Sequence, residues 1–134
     1  MSGATDRMLE SARRDRIAGR SESAERGYAA AAAEARAKGE PLALAHALRH
    51  VSDLARERGS PAEALCAAAE AVAIYRAESA AGSLDLANAL RLNALALADC
   101  GRAAEAASLW REARDLYSAA GVQAGIEDAD DHLA

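Results

Sequence analysis

The sequence predicts an all-α fold in which helical hairpins stack into a solenoid. Alanine, the strongest helix former, supplies about three residues in ten. Valine and isoleucine are scarce, and no segment shows the alternation of apolar and polar residues that is typical of strands. The chain also repeats itself with a period of about 40 residues, which is the length of one helical hairpin.

The repeat is clearest when residues 42–79 are aligned, without a gap, on residues 84–121. The matches that weigh most are not alanines: they are Arg49 with Arg91, Gly59 with Gly101, Glu63 with Glu105, Glu70 with Glu112 and Tyr75 with Tyr117. A weaker copy comes earlier, where Gly19 corresponds to Gly59 and Tyr28 to Trp110. A unit of this length cannot bury its apolar face alone, so we expect three stacked units to share one core.

Each unit is predicted to contain two helices, bounded by glycines and capping residues. Gly59 would end one helix, and Ser60, Pro61 and Glu63 would begin the next as N-cap, first helical residue and capping-box partner. Ser83 would cap the first helix of the third unit. The predicted helices cover residues 5–18, 21–38, 41–58, 61–79, 83–99, 103–120 and 122–133. The last has one apolar and one acidic face, as the final helix of a solenoid requires.

The residues within each unit resemble the tetratricopeptide repeat. In each unit a glycine is followed at fixed spacing by an alanine, by a third position that is Tyr, Ala or Trp, and by a second alanine. The three sets are Gly19, Ala24, Tyr28, Ala31; Gly59, Ala64, Ala68, Ala71; and Gly101, Ala106, Trp110, Ala113. Ala68 departs from the family's aromatic third position. The period of about 42 residues exceeds the family's usual length of about 34, and is similar to the long-repeat variant of kinesin light chains.

The resemblance implies one domain over residues 1–134, an α-α superhelical solenoid of three helical hairpins plus a C-terminal capping helix. The units are residues 5–38, 41–79 and 83–120, and the cap is 122–133. It also implies a non-enzymatic module that binds a protein or peptide segment in a concave groove.

In the tetratricopeptide family the first helix of each unit lines that groove, which implies the binding residues. They are Asp6, Leu9, Glu10, Arg13 and Arg16 in the first unit, His46, Arg49, His50, Asp53 and Arg56 in the second, and Asn88, Arg91, Leu92, Leu95 and Asp99 in the third. Five are arginines, whose planar donors suit carboxylates, so an acidic peptide is the expected ligand. Alternatively, these arginines are solvated or paired with Glu10, Asp53 or Glu57. Chaperone tails are not expected, because Leu9 and Leu92 replace polar clamp residues.

The predicted helix 83–99 is apolar nearly all round, which is typical of a helix that is buried on every side. Either the C-terminal helix covers it or a partner does. A homodimer through Leu92 and Leu95 is therefore the alternative function that this helix suggests.

Little in the sequence points to catalysis or to a cofactor. His46 and His50 lie four residues apart on one helix, with Asp53 one turn further on, a spacing that can hold a metal. No further ligand stands near them in the sequence, so we predict no metal, cofactor or catalytic residue. A small metal-binding protein that uses His46 and His50 is the third and least favoured hypothesis.

Charge and hydropathy limit the partners and the cellular location that are expected for the protein. A net charge of −5 argues against nucleic acid as a partner. No apolar segment of signal-peptide or membrane-spanning type is present, so no membrane partner is expected. Cys66 and Cys100 fit structural thiols of a cytoplasmic protein. The richness in alanine is associated with high-GC bacterial genomes.

Overall fold

The computed structural model describes residues 3–78 and 81–134 and confirms an all-α solenoid. Its helices are α1 (Gly3–Ile17), α2 (Ser21–Lys38), α3 (Pro41–Glu57), α4 (Pro61–Ala77), α5 (Ser83–Asp99), α6 (Ala103–Ala120) and α7 (Gln123–Leu133). Each helix packs mainly on the helix before it and the helix after it, and α3 also touches α5. The described residues contain no strand, and none of their helices is long and apolar enough to cross a membrane.

Glycines close most of the turns between helices. Gly59 and Gly101 have φ values of 82° and 78°, in the left-handed region that residues with a Cβ rarely adopt. Gly19, Gly39 and Gly121 do the same after α1, α2 and α6. The turn positions were therefore readable from the sequence. Residue 79, the last residue of the predicted helix 61–79, lies outside the described part of the chain.

The predicted N-terminal caps are only partly correct. Ser60 does precede α4, and Pro61 is its first residue, but the Ser60 side chain makes no capping hydrogen bond. Glu63 does not complete a capping box, because its carboxylate binds the guanidinium of Arg58 instead. Helix α5 begins at Ser83 itself, without a side-chain cap, so the prediction of Ser83 as the cap was wrong.

Most of the buried hydrophobic residues are alanines, which lets the helices approach closely. A Cβ atom added to Gly27 of α2 would lie 2.9 Å from the Cβ of Ala12 on α1. The alanines of the repeated pattern are among the buried ones. The remaining core volume is filled by larger side chains, which include six leucines and the aromatic residues Tyr28, Tyr75, Trp110 and Tyr117.

Helix α7 completes the solenoid by packing on α6. One buried cluster joins α5, α6 and α7 through Ala94, Leu97, Ala106, Trp110 and Ala129, and Leu95 and Leu133 pack against it. Leu92 is only 7% exposed. Most of the apolar circumference of α5 is thus covered within the chain, whereas Leu84 at its start is 43% exposed.

Candidate functional site

The first helices of the three units, α1, α3 and α5, line one common surface, termed the inner face. A groove of about 180 Å³ at its centre, the central groove, is lined by residues of all three: Arg16, Arg49, His50, Asp53, Asn88, Arg91 and Leu92. The structure therefore brings together seven of the fifteen residues that the sequence predicts for binding.

A larger cavity of about 810 Å³, termed the N-terminal cavity, opens between α1, α2 and α3. It is lined by Asp6, Leu9, Glu10, Arg13, Arg16, Ile17, Tyr28, His46 and His50. The side chain of Ile17 at its rim is 72% exposed. A single exposed isoleucine is ordinary on a protein surface, but this one borders a cavity large enough for a ligand. The cavity therefore combines an uncovered apolar rim with charges of both signs.

Four of the five predicted arginine anchors already hold carboxylates of this chain. Each pair joins the first helix of one unit to the first helix of the next unit or, for the third unit, to α7. The pairs are Arg16 with Asp53 and Glu57, Arg49 with Asp85, Arg56 with Asp99, and Arg91 with Asp128. The hydrogen bond from Arg91 to Asp128 is 2.7 Å long, and that from Arg49 to Asp85 is 3.2 Å. These four arginines therefore join helices. This agrees with the alternative interpretation, in which the arginines pair with carboxylates of the same chain.

Arg13 is the exception among the five arginines. Its side chain is 63% exposed, and the carboxylate of Glu10 is 3.7 Å away. Arg14 lies at the same distance from that carboxylate, so two cations share one anion. Exposed pairs with this geometry contribute little to stability, which leaves the Arg13 guanidinium accessible to an external carboxylate. Ile17 lies one helical turn further along the same face, so a cation and an apolar side chain are neighbours.

His50 separates the N-terminal cavity from the central groove and is held in its neutral form. Its ring stacks on Tyr28, with ring centroids 4.2 Å apart. Its Nδ1 accepts a hydrogen bond of 2.7 Å from Arg16, and a guanidinium can only donate, so this nitrogen carries no proton. Burial, followed by the neighbouring His46 and arginine side chains, lowers the pKa of His50 to about 4. The wall that His50 presents is therefore uncharged at neutral pH.

The pair of His46 and His50 does not extend to a metal site in the part of the chain that the structure describes. The two ring centroids lie 5.0 Å apart, but Asp53 is bound by Arg16. Among residues 3–78 and 81–134, no three His, Cys, Asp or Glu side chains are grouped so that they could hold a metal ion. Ser52, next to Asp53, is buried and donates its hydroxyl hydrogen to the carbonyl oxygen of Ala64 at 2.8 Å. That hydroxyl serves helix packing.

The remaining predicted site residues have structural environments. Asn88 accepts a hydrogen bond of 2.6 Å from the hydroxyl of the buried Tyr117. Leu95 packs against the cluster that α5, α6 and α7 share. The prediction of two structural thiols was wrong for Cys66, which is exposed on α4, whereas Cys100 is half-buried.

Sequence reasoning did not place Ile17 and Tyr28 in the site. Ile17 was within reach of the sequence, because it stands four residues after Arg13 and so shares its helix face. Tyr28 was assigned to the repeated pattern alone, and its second role arises only because His50 of another helix stacks on it. The carboxylates Asp85 and Asp128 were also missed, since a residue on one helix gives no sign of its partner on another.

A scan against protein-family models found no match, and a search of the curated proteins found none either. A functional assignment therefore depends on the residues of this chain and on their geometry.

Proposed function

We propose that this protein is a non-enzymatic interaction module of tetratricopeptide type that binds a segment of another protein on its inner face. The N-terminal cavity would be the principal contact. The observation that carries this proposal is the open volume of about 810 Å³ beside an exposed isoleucine and an exposed arginine, Ile17 and Arg13. A volume of this size is within the usual range of ligand sites.

The chemistry of the N-terminal cavity indicates which segment it would take. An apolar side chain of the partner would lie against Leu9 and Ile17, and a neighbouring carboxylate would reach Arg13. The arginines of the central groove supply little net charge for this purpose, because each holds an aspartate of this chain. The proposed ligand is therefore an acidic segment with at least one large apolar residue. For the protein itself we propose a cytoplasmic location and a bacterial origin.

The experiment that tests this function is selection of peptides from a random display library, followed by fluorescence anisotropy on the peptides that are recovered. We expect them to combine acidic and large apolar residues. We expect Arg13→Glu, and separately Ile17→Ser, to weaken binding at least about tenfold, which corresponds to about 1.4 kcal/mol.

Arg14→Glu is the matched control, because Arg14 is exposed on the same helix, contacts the same Glu10 and does not line the cavity. It should bind these peptides with wild-type affinity. Recovery of no peptide, or equal binding by all four proteins, would contradict the proposal. Charge reversal at Arg49 is less suitable, because it would set two carboxylates against each other at Asp85 and disturb the fold.

A homodimer through Leu92 and Leu95 has less support than the binding of a peptide. Leu92 is almost fully buried, and Leu95 packs on the cluster that α7 covers. Little of the predicted dimer surface is therefore left for a second copy.

A further inference from the structure

Two histidine rings form the α3 side of the N-terminal cavity. His46 and His50 both line it, and their ring centroids lie 5.0 Å apart. His46 is exposed, and His50 is half-buried. Histidine is the side chain whose charge changes most readily between pH 5 and 8. The proposed binding site therefore has a wall whose charge can depend on pH.

The protonation of His50 is coupled to Arg16 of the facing helix α1. The guanidinium of Arg16 donates a hydrogen bond of 2.7 Å to Nδ1 of His50, and it also binds Asp53 and Glu57. A guanidinium has no acceptor, so Nδ1 can take part in this bond only while it carries no proton. A proton on Nδ1 would therefore break the hydrogen bond and leave two cations facing each other.

In the protein alone, the surroundings of the two rings favour the neutral form. Burial, followed by neighbouring cationic side chains, lowers the pKa of both histidines, and that of His50 falls to about 4. The nearest carboxylates already hold arginines, since Asp53 is bound by Arg16, and Asp85 by Arg49. The groups that face the rings are Asp6, Glu10, Arg13 and Arg16 of α1, Tyr28 of α2, Arg49 and Asp53 of α3, and Asp85 and Arg91 of α5.

An anion in the N-terminal cavity would reverse this preference. The ligand proposed above places a carboxylate at Arg13, in the same cavity as the two rings. A negative charge near an imidazole stabilises its protonated form and raises its pKa. By linkage, an anion that makes protonation easier must bind more tightly to the protonated protein, by the same factor.

We propose that the N-terminal cavity binds its acidic ligand together with a proton that His46 or His50 takes up from solvent, so that acidification strengthens binding. This inference rests on the proposed function, because it requires an anion in the cavity. When His50 is protonated, Arg16 loses one hydrogen bond but keeps Asp53 and Glu57. The proton therefore adds a positive charge to the cavity wall without separating α1 from α3.

The test uses 3-methylbutane-1-sulfonate, a probe with one branched alkyl group and a negative charge that does not titrate above pH 4. NMR titration of the ¹⁵N-labelled full chain at pH 7.5 and at pH 5.0 gives its dissociation constant, which should be on the order of ten millimolar at neutral pH. The dispersion of the amide signals verifies that the chain is folded at both pH values.

We expect the sulfonate to bind at least about threefold more tightly at pH 5.0, where a histidine would be protonated in the complex but largely neutral in the free protein. The ring signals of His46 and His50, followed against pH, should show a raised pKa in the presence of the sulfonate. The neutral probe 3-methylbutan-1-ol has the same alkyl group, and its affinity should not rise at pH 5.0.

A variant with both His46→Gln and His50→Gln removes the two titrating rings. Both residues line the cavity, so only the ratio of the affinities at the two pH values is compared, and this ratio should fall to about one. His132→Gln is the matched control, because His132 is the third histidine of the chain and does not line the cavity. Its ratio should equal that of the wild type.

Three results would overturn the inference. Equal affinity for the sulfonate at both pH values would show that no proton is taken up. A ratio in the double variant equal to that of the wild type would assign the proton to a carboxylate of the cavity, such as Asp6 or Glu10. These two results leave the proposed function intact, whereas a sulfonate that binds at neither pH would count against it as well.

Discussion

The N-terminal cavity and the central groove lie on the same face and carry the same kinds of residue, but their arginines differ. In the central groove Arg16, Arg49 and Arg91 each hold a carboxylate on another helix. Across the N-terminal cavity, α3 presents His46 and His50. Neutral imidazoles cannot neutralise a guanidinium, so Arg13 is left with the Glu10 carboxylate of its own helix, which is 3.7 Å away and shared with Arg14, and its side chain stays 63% exposed.

This difference shows that an arginine on a groove is available to a ligand only if the facing helix offers it no carboxylate. The repeat pattern places an arginine at equivalent points of the second and third units, as Arg49 and Arg91. The structure shows that both serve to join helices. Arg13 lies outside this pattern of close pairs. Its charge is available to a ligand because α3 faces it with His46 and His50 in place of carboxylates.

The largest expected effect comes from removing the aromatic ring beneath the N-terminal cavity. Tyr28 is 1% exposed, packs with Ala12, Ala24 and Leu54, and stacks on His50. Tyr28→Ala should lower the free energy of unfolding by about 3–5 kcal/mol, because it removes a large buried side chain and leaves a void. Urea denaturation measures this loss.

Tyr28→Phe is the control for that substitution. It keeps the ring and the stacking on His50 and removes only the hydroxyl, so the expected cost is within about 1 kcal/mol. A cost of Tyr28→Ala no greater than that of Tyr28→Phe would show that the ring does not support the cavity.

The next effect is a dependence of stability on pH that arises at His50. The folded protein holds the pKa of His50 at about 4, below the ordinary value of 6.5. Between these values the unfolded chain binds more protons, so the free energy of unfolding should fall as the pH falls from 6.5 towards 4. The loss from this residue should reach about 2–3 kcal/mol. The groups that face His50 are Tyr28, His46, Arg16, Arg49 and Asp53.

The comparison that isolates His50 is with His50→Gln, measured by urea denaturation at several pH values from 7 to 4. The carboxylates of the protein titrate in both proteins, so only the difference between the two pH profiles counts. His50→Gln should have the flatter profile. Identical profiles would show that protonation of His50 does not oppose folding.

The smallest effect is the most direct test of the contrast between paired and exposed arginines. Arg16→Ala removes the cation that binds Asp53 and Glu57 and that donates to His50, and should cost about 1–2 kcal/mol. Arg13→Ala, on the same helix one turn earlier, should change the free energy of unfolding by less than about 0.5 kcal/mol. Thermal denaturation in the same buffer compares the two. Equal losses would mean that Arg13 contributes to the stability of the fold as much as Arg16 does.

Much of the architecture could be predicted from the sequence, because helices and their ends are set locally. The predicted boundaries of α2, α5 and α6 agree with the structure, and Gly59 and Gly101 end the helices that they were expected to end. The side-chain caps at Ser60 and Ser83 were not predictable to the same degree. A cap depends on one hydrogen bond, and the solenoid positions these helices by packing without it.

The candidate sites were less predictable, because they depend on which residues face each other across helices. Asn93 occupies the position of Val51 in the preceding unit, so the alignment of the repeats already marks it as polar where its counterpart is apolar. Only the structure shows that Asn93 lines a cleft together with Leu65 and Leu109 of two other helices.

The sequence by itself determined the class of fold, the number of hairpins and the turns between the helices. These properties follow from periodicity and from the conformational preferences of alanine and glycine, which act over a few residues. Only the tertiary structure decided that Arg16, Arg49, Arg56 and Arg91 are paired and that Arg13 and Ile17 border an open cavity. An ion pair or a cavity depends on distances between helices, and those distances exist only after the repeats have stacked.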